Sequence, residues 1–157
     1  MVDMELAHGT FSKVIVFRLK PGTDVQQGME EACARSGISN GVIVSAIGSL
    51  ASAAFCDVIN RSDLKSGYGY GAPLTLEGPL ELTGISGIVC HDHSGAVNLH
   101  AHMSVCDRYG NAHGGHLTAG TKVLLTVDCV VAEIAGAVMG REYDPSMDAM
   151  LFAPSQG

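Results

Sequence analysis

Three histidines, His100, His102 and His116, are spaced so that one β-hairpin could bring their side chains together. The segment DRYGN at 107–111 carries the Asp, Asn and Gly residues typical of a tight turn. A turn centred on Tyr109 places His102 opposite His116. His100 and His102 point to the same face, about 6.5–7 Å apart, and cross-strand neighbours lie about 4.5–5.5 Å apart. This pattern predicts a site at which three imidazoles bind one divalent ion.

The same geometry leaves the remaining histidines outside the site. His113 has the opposite strand parity, and His91 and His93 belong to a different turn. Cys90 is an alternative thiol ligand, because the turn that follows it could bring it near His100. A second interpretation of the histidine set is also open, since polar histidines are common on the solvated face of an antiparallel sheet. His8 lies in no motif.

Three neutral histidines without an obvious fourth ligand are typical of an open zinc site, in which the last position takes water or substrate. Catalysis there would need a general acid or base beside the ion. The weak candidates are Asp128, which shares a strand face with Lys122 and Thr126, and Glu81 on a neighbouring segment. No other catalytic group is indicated.

The hairpin is expected to lie within an α+β domain that consists of one main helix and a largely antiparallel β-sheet. A strand over 12–20 precedes a helix over 23–37, which Thr23 or Asp24 can cap. Further alternating segments predict strands, the first of them as two strands bent at Gly48–Ser49. These segments are 41–60, 75–90, 96–106, 114–134 and 135–143.

Two segments are expected to lie outside regular structure. The glycine-rich segment 61–73 is predicted as a polar loop, and it lacks the strand–turn–helix context that nucleotide binding through glycines requires. We assign residues 10–143 to a single domain and residues 144–157 to a loosely packed C-terminal tail.

Composition limits the classes of partner. The 157 residues carry a net charge of −7, and 46% are hydrophobic against 16% charged. A surface with so few charges favours contact with other subunits, and we therefore expect a homo-oligomer. Lysine and arginine cluster no further than the pairs Arg18/Lys20 and Arg61/Lys65, which disfavours nucleic acid as a partner.

Five widely spaced cysteines without a C-x-x-C pair indicate reduced, buried thiols and a cytoplasmic protein. The first ten residues are acidic and lack an apolar run, which argues against a signal peptide. No stretch approaches the roughly 18 apolar residues of a membrane span, and we expect no membrane partner.

The central signature resembles that of the PPC domain, a family named for its presence in plants and prokaryotes. The matching residues are His100, His102, Asp107, Gly110, Gly114, Gly115, His116, Leu117 and Gly120. The resemblance extends over about residues 10–143. It implies a homotrimer, and a fold similar to that of acetolactate decarboxylase, a zinc enzyme with three histidine ligands.

The resemblance implies two different functions. Prokaryotic members that keep the histidines look like metal-containing proteins, which favours a zinc-binding protein and a metal-dependent enzyme acting on a small molecule. The alternative is a DNA-binding or regulatory interaction module, as the family is often labelled. In the plant members a basic R-G-R-P segment enters the DNA minor groove, and this sequence contains no such segment.

Overall fold

The computed structural model describes residues 3–157, which form one helix and ten strands. The helix, α1, spans Val25–Arg35. The strands are β1 (Thr10–Leu19), β2 (Gly41–Cys56), β3 (Val58–Asn60), β4 (Tyr68–Tyr70), β5 (Leu74–His91), β6 (Val97–Cys106), β7 (Ala112–Leu117), β8 (Lys122–Ala135), β9 (Ala137–Asp144) and β10 (Ala149–Gln156).

Eight of the strands form one sheet in the order β1-β8-β2-β7-β6-β5-β9-β10, and β3 pairs with β4 in a separate ribbon. The long strand β2 also pairs with β5, so β2, β7, β6 and β5 form a closed ring of neighbours. The pairings are antiparallel apart from a parallel contact between His91 of β5 and Gly140 of β9. The predicted α+β class with a largely antiparallel sheet is confirmed.

Helix α1 closes the hydrophobic core from one side. Val25, Met29 and Cys33 recur every four residues, lie on one helix face and are completely buried. Of the two predicted caps, Thr23 and Asp24, the structure shows Asp24, whose Oδ1 accepts a hydrogen bond from the backbone N–H of Gln27 at 3.2 Å. The second carboxylate oxygen accepts from the backbone N–H of Gly120 at 2.7 Å. One carboxylate therefore joins the helix to the loop between β7 and β8.

Two expected strand boundaries are wrong. Residues 41–56 form one continuous strand rather than two strands bent at Gly48–Ser49, because β-bulges at Ile43/Ser45 and Gly48/Leu50 absorb the bend. The segment expected as one strand over 114–134 is divided into β7 and β8, since residues 118–121 turn the chain.

Two segments expected to be irregular are strands. Tyr68–Tyr70, inside the expected loop 61–73, pairs with β3 as β4. Within the expected tail 144–157, residues 149–156 pair with β9 along their whole length as β10. This part of the expected tail is therefore a strand of the main sheet. Among residues 3–157, no helix has the length and apolar character required to cross a membrane.

Candidate metal centre

Strand β6 carries the first two histidines on the face that points away from the core. Its odd-numbered side chains are buried: Leu99, Ala101, Met103 and Val105. Strand alternation therefore places His100 and His102 on the opposite face, where His100 is half-buried and His102 is exposed. The apolar residues between the histidines fix the orientation of β6 and hence the face on which the imidazoles lie.

The β6–β7 hairpin brings the third histidine opposite, as the sequence predicts. His102 pairs with His116 in the antiparallel register. Asp107 organises the turn, because its Oδ1 accepts from the backbone N–H groups of Tyr109 at 2.8 Å and of Asn111 at 2.9 Å. Gly110 has φ +83°, a left-handed conformation that glycine adopts without strain.

Glycine at position 114 allows β7 to approach β6 closely. A Cβ atom added there would overlap the carbonyl oxygen of Met103 on β6. This close approach of β7 to β6 holds His116 within reach of the β6 histidines.

The three imidazoles converge. Ring centroids lie 5.6 Å apart for His100 and His102, 5.4 Å for His100 and His116, and 5.2 Å for His102 and His116. One nitrogen from each ring lies within 4.8 Å of the other two. On a tetrahedral zinc ion with bonds of about 2.0–2.1 Å, neighbouring nitrogens are about 3.4 Å apart, so ring movements of about 1 Å would complete the geometry. The residues fit a divalent ion.

The surroundings of the histidines favour neutral rings. Burial lowers the pKa of His100, and the nearby His102 and Arg141 lower it further. Burial also lowers the pKa of His116, and His100, His102 and Arg141 add to the effect. Metals bind the neutral imidazole, so these shifts extend the pH range in which two of the rings are ready as ligands.

Tyr70 is a site residue that the sequence analysis missed. Its ring centroid lies 4.6 Å from that of His116, and its hydroxyl is hydrogen-bonded to His116 Nδ1 at 3.1 Å. Because Nδ1 is engaged by Tyr70, Nε2 is the nitrogen left for a metal. The alternating tyrosines Tyr68 and Tyr70 are a sequence signal for strand β4. The glycines of the same segment favoured the prediction of a loop.

The carboxylate candidates from the sequence lie away from the three histidines. Glu81 pairs with Cys106, four residues along β6 from His102 and so about 13 Å away. On β2, Cys56 pairs with His116, whereas Ile47 pairs with Asp128. The two positions are nine residues apart along β2, so Asp128 lies far from His116. The structure brings neither carboxylate to the site.

Cys90, the alternative ligand, and two histidines expected to lie outside the site are engaged elsewhere. The Cys90 thiol is buried and donates to the carbonyl oxygen of Asn98 at 3.2 Å, and burial raises its pKa. His113 lies in β7 with Nε2 3.8 Å from Asp107 Oδ2. His91 Nδ1 lies 3.2 Å from the carbonyl oxygen of Ser39. Within residues 3–157, the metal-ligating side chains that converge are the three histidines alone.

Comparison with known proteins agrees with the fold. A family model described as the Plants and Prokaryotes Conserved (PCC) domain matches residues 6–135. The crystal structure of a metal-containing protein from Archaeoglobus fulgidus is 27% identical, with a TM-score of 0.81, and the match covers 95% of this chain and 99% of that one.

Two other relatives carry different names. A candidate DNA-binding protein from Bacteroides thetaiotaomicron has a TM-score of 0.73 over 92% of this chain and 96% of its own, and at 19% identity the likeness shows the fold alone. The bifunctional protein GlmU from Synechococcus sp. (strain JA-3-3Ab) is 30% identical over 134 residues. The match covers 85% of this chain but 19% of that relative, so this chain spans about a fifth of its length.

Proposed function

The chain belongs to the Plants and Prokaryotes Conserved domain family, and from this premise we propose that it is a metalloprotein in which His100, His102 and His116 hold one divalent cation. The observation that carries the proposal is the convergence of three ligand nitrogens within 4.8 Å on one face of a hairpin. The metal-containing relative from Archaeoglobus fulgidus supports it.

Zinc is the cation that this donor set favours. Imidazole nitrogen suits zinc, and three protein ligands with an open position are the usual arrangement of catalytic zinc. When bound, zinc would supply a Lewis acid to a small-molecule ligand. Tyr70 would orient His116, because a ring that binds metal through Nε2 carries its proton on Nδ1 and donates it to the Tyr70 oxygen. We also propose that the protein acts as an enzyme on a small molecule.

Elemental analysis of untagged protein, purified without added metal or chelator, tests the site. We expect about one zinc per chain in the wild type and a loss of most of it in His102→Ala. His113→Ala is the matched control, because it removes a histidine that belongs to the same hairpin but lies on the opposite face from His116. Less than about 0.2 metal per chain in the wild type, unchanged by His102→Ala, would overturn the proposal.

We further propose that the protein assembles as a homotrimer in a reducing compartment such as the cytoplasm. Support for assembly comes from exposed apolar side chains on β1 and β2, with Val14 57%, Val16 78% and Ile47 52% exposed. All five cysteines are free thiols. Light scattering should give about three times the 16.3 kDa chain mass, and Val16→Glu should lower it.

The DNA-binding alternative is supported by the name of the Bacteroides relative. The net charge of −7 opposes it, because phosphate contacts from lysine and arginine supply most non-specific affinity. Titration of duplex DNA at about 20 mM salt, where counterion release favours binding most, decides the question. Saturable binding would favour the alternative, and no binding under these conditions would remove it.

A further inference from the structure

Arg141 on β9 is held against the histidine-bearing face of β6. One guanidinium nitrogen donates to the Asn98 side-chain oxygen at 3.2 Å, and another donates to the carbonyl oxygen of Met150 on β10 at 2.9 Å. Asn98 precedes His100 by two residues on β6, so the two side chains share a face, with Cα atoms about 6.5–7 Å apart. The guanidinium is therefore held beside Asn98, on the same face of β6 as His100.

Within residues 3–157, no carboxylate lies within 4.0 Å of the Arg141 guanidinium. Its two partners are neutral oxygens, and a guanidinium has five N–H groups to donate. Arg141 is half-buried, has unused N–H donors and has no carboxylate partner. Such a guanidinium favours the binding of an anion.

The positive charge of Arg141 lies beside the histidine site, because its hydrogen-bond partner Asn98 shares a face of β6 with His100. The ligand set that converges there consists of His100, His102 and His116 and includes no carboxylate. A divalent cation beside Arg141 would leave the site with an uncompensated positive charge, which an anionic ligand would neutralise.

We propose that Arg141 makes the histidine site an oxyanion-binding site, in which the guanidinium receives the carboxylate or phosphate group of a small ligand beside His100 and His116. The planar fork of a guanidinium matches both groups. Tyr70 adds a second donor, because a hydroxyl that accepts from His116 Nδ1 is free to donate its own proton. The inference rests on the proposed function for the metal, but Arg141, Asn98 and Tyr70 are present without it.

Arg141 also lies outside the segment that the family model matches, which ends at residue 135. Strands β9 and β10 supply Arg141 and the Met150 carbonyl that fixes it. This part of the chain therefore contributes to the ligand site and specifies the charge of the ligand.

Calorimetric titration of acetate and of inorganic phosphate, into both zinc-loaded and chelator-treated full-length protein, tests the proposal. We expect saturable binding to the wild type and a loss of about tenfold to a hundredfold in affinity in Arg141→Gln, the effect of one charge-assisted hydrogen-bonding group. Arg108→Gln, which removes an exposed arginine from the hairpin turn, is the matched control and should bind as the wild type does. The two probes distinguish a carboxylate from a phosphate ligand.

Asn98→Asp is the second variant, because it keeps Arg141 in place and gives it an internal carboxylate. We expect it to fold and to weaken oxyanion binding as Arg141→Gln does. Equal affinity in the wild type and in both variants, or no binding to zinc-loaded wild type, would overturn the inference while leaving the metal site intact. If the protein takes up no zinc, the proposed function fails, and Arg141-dependent binding to the metal-free protein then decides the oxyanion site alone.

Discussion

The Tyr70 hydroxyl lies 3.1 Å from Nδ1 of His116, and the two rings are in contact across the junction between the β3–β4 ribbon and the main sheet. A residue that belongs to no part of the hairpin therefore fixes the ring orientation of the third histidine.

Replacing this tyrosine should weaken metal binding without removing a ligand. In Tyr70→Phe the His116 Nδ1–H group loses its acceptor, and loss of such a partner typically costs tenfold to a hundredfold in metal affinity. Competition with a chromophoric zinc chelator would measure the change. Tyr68→Phe on the same strand is the control, and equal affinities of the two variants would show that Tyr70 does not orient His116.

An alanine at position 114 should disrupt the hairpin and the site together. The added methyl group overlaps the Met103 carbonyl oxygen, so β7 must move away from β6. We expect destabilisation of about 1–3 kcal/mol in urea unfolding and a lower zinc content. Gly84→Ala on β5 is the control, since a Cβ there meets no atom within 4 Å. A stable Gly114→Ala protein with full zinc content would contradict the close-approach argument.

Removal of the Asp24 carboxylate should destabilise the protein. Asp24→Ala deletes the acceptor for the backbone N–H groups of Gln27 and Gly120 at a residue only 5% exposed. The expected loss in the free energy of unfolding is about 2–4 kcal/mol, measured by urea unfolding at fixed protein concentration. Asp24→Asn keeps one acceptor oxygen, so its free energy of unfolding should lie between those of the wild type and Asp24→Ala. Asp63→Ala, at an exposed ion pair, should have no measurable effect.

The protein should lose stability above pH 9 because of two buried thiols. Burial, with a smaller contribution from Glu30, raises the pKa of Cys33 to about 11. Burial raises the pKa of Cys129 to about 12, and Asp128 and Cys33 add to the effect. As the pH rises from about 9, the unfolded chain ionises these thiols while the folded chain keeps them protonated. The free energy of unfolding should therefore fall by up to about 1.4 kcal/mol per pH unit for each thiol.

The double variant Cys33→Ala/Cys129→Ala should show a smaller decline in stability between pH 9 and 11. Cys106→Ala, at a half-buried thiol, is the control and should keep the wild-type slope. Parallel pH profiles for the wild type and the double variant would contradict the assignment of this decline to Cys33 and Cys129.

Sequence reasoning succeeds where the determinants are local. The turn at Asp107–Asn111 and the two-residue alternation of a strand together place His102 opposite His116, and no distant contact is needed. The helix is predictable for the same reason, because its cap and its apolar spacing lie within fifteen residues. A similarity to acetolactate decarboxylase stays a prediction.

Tyr70 and Arg141, the proposed anion-binding residue, come from parts of the chain distant from the hairpin. Tyr70 reaches His116 across 46 residues, and Arg141 reaches Asn98 across 43. Alternation on one strand cannot predict which strand will become its neighbour, so it pointed to Asp128 and Glu81 instead. Residues 149–156 also lack a strong local signal, and pairing with β9 decides their structure.

The division of β6 into a buried odd-numbered face and an even-numbered face with the histidines has an evolutionary consequence. Substitutions at positions 98, 100 and 102 change the chemistry of the outer surface without opening a cavity beneath it, whereas Leu99, Ala101 and Met103 are constrained by packing. A descendant of this scaffold could exchange its ligand set, or lose it, and still fold. The same strand could therefore support unrelated activities in different lineages.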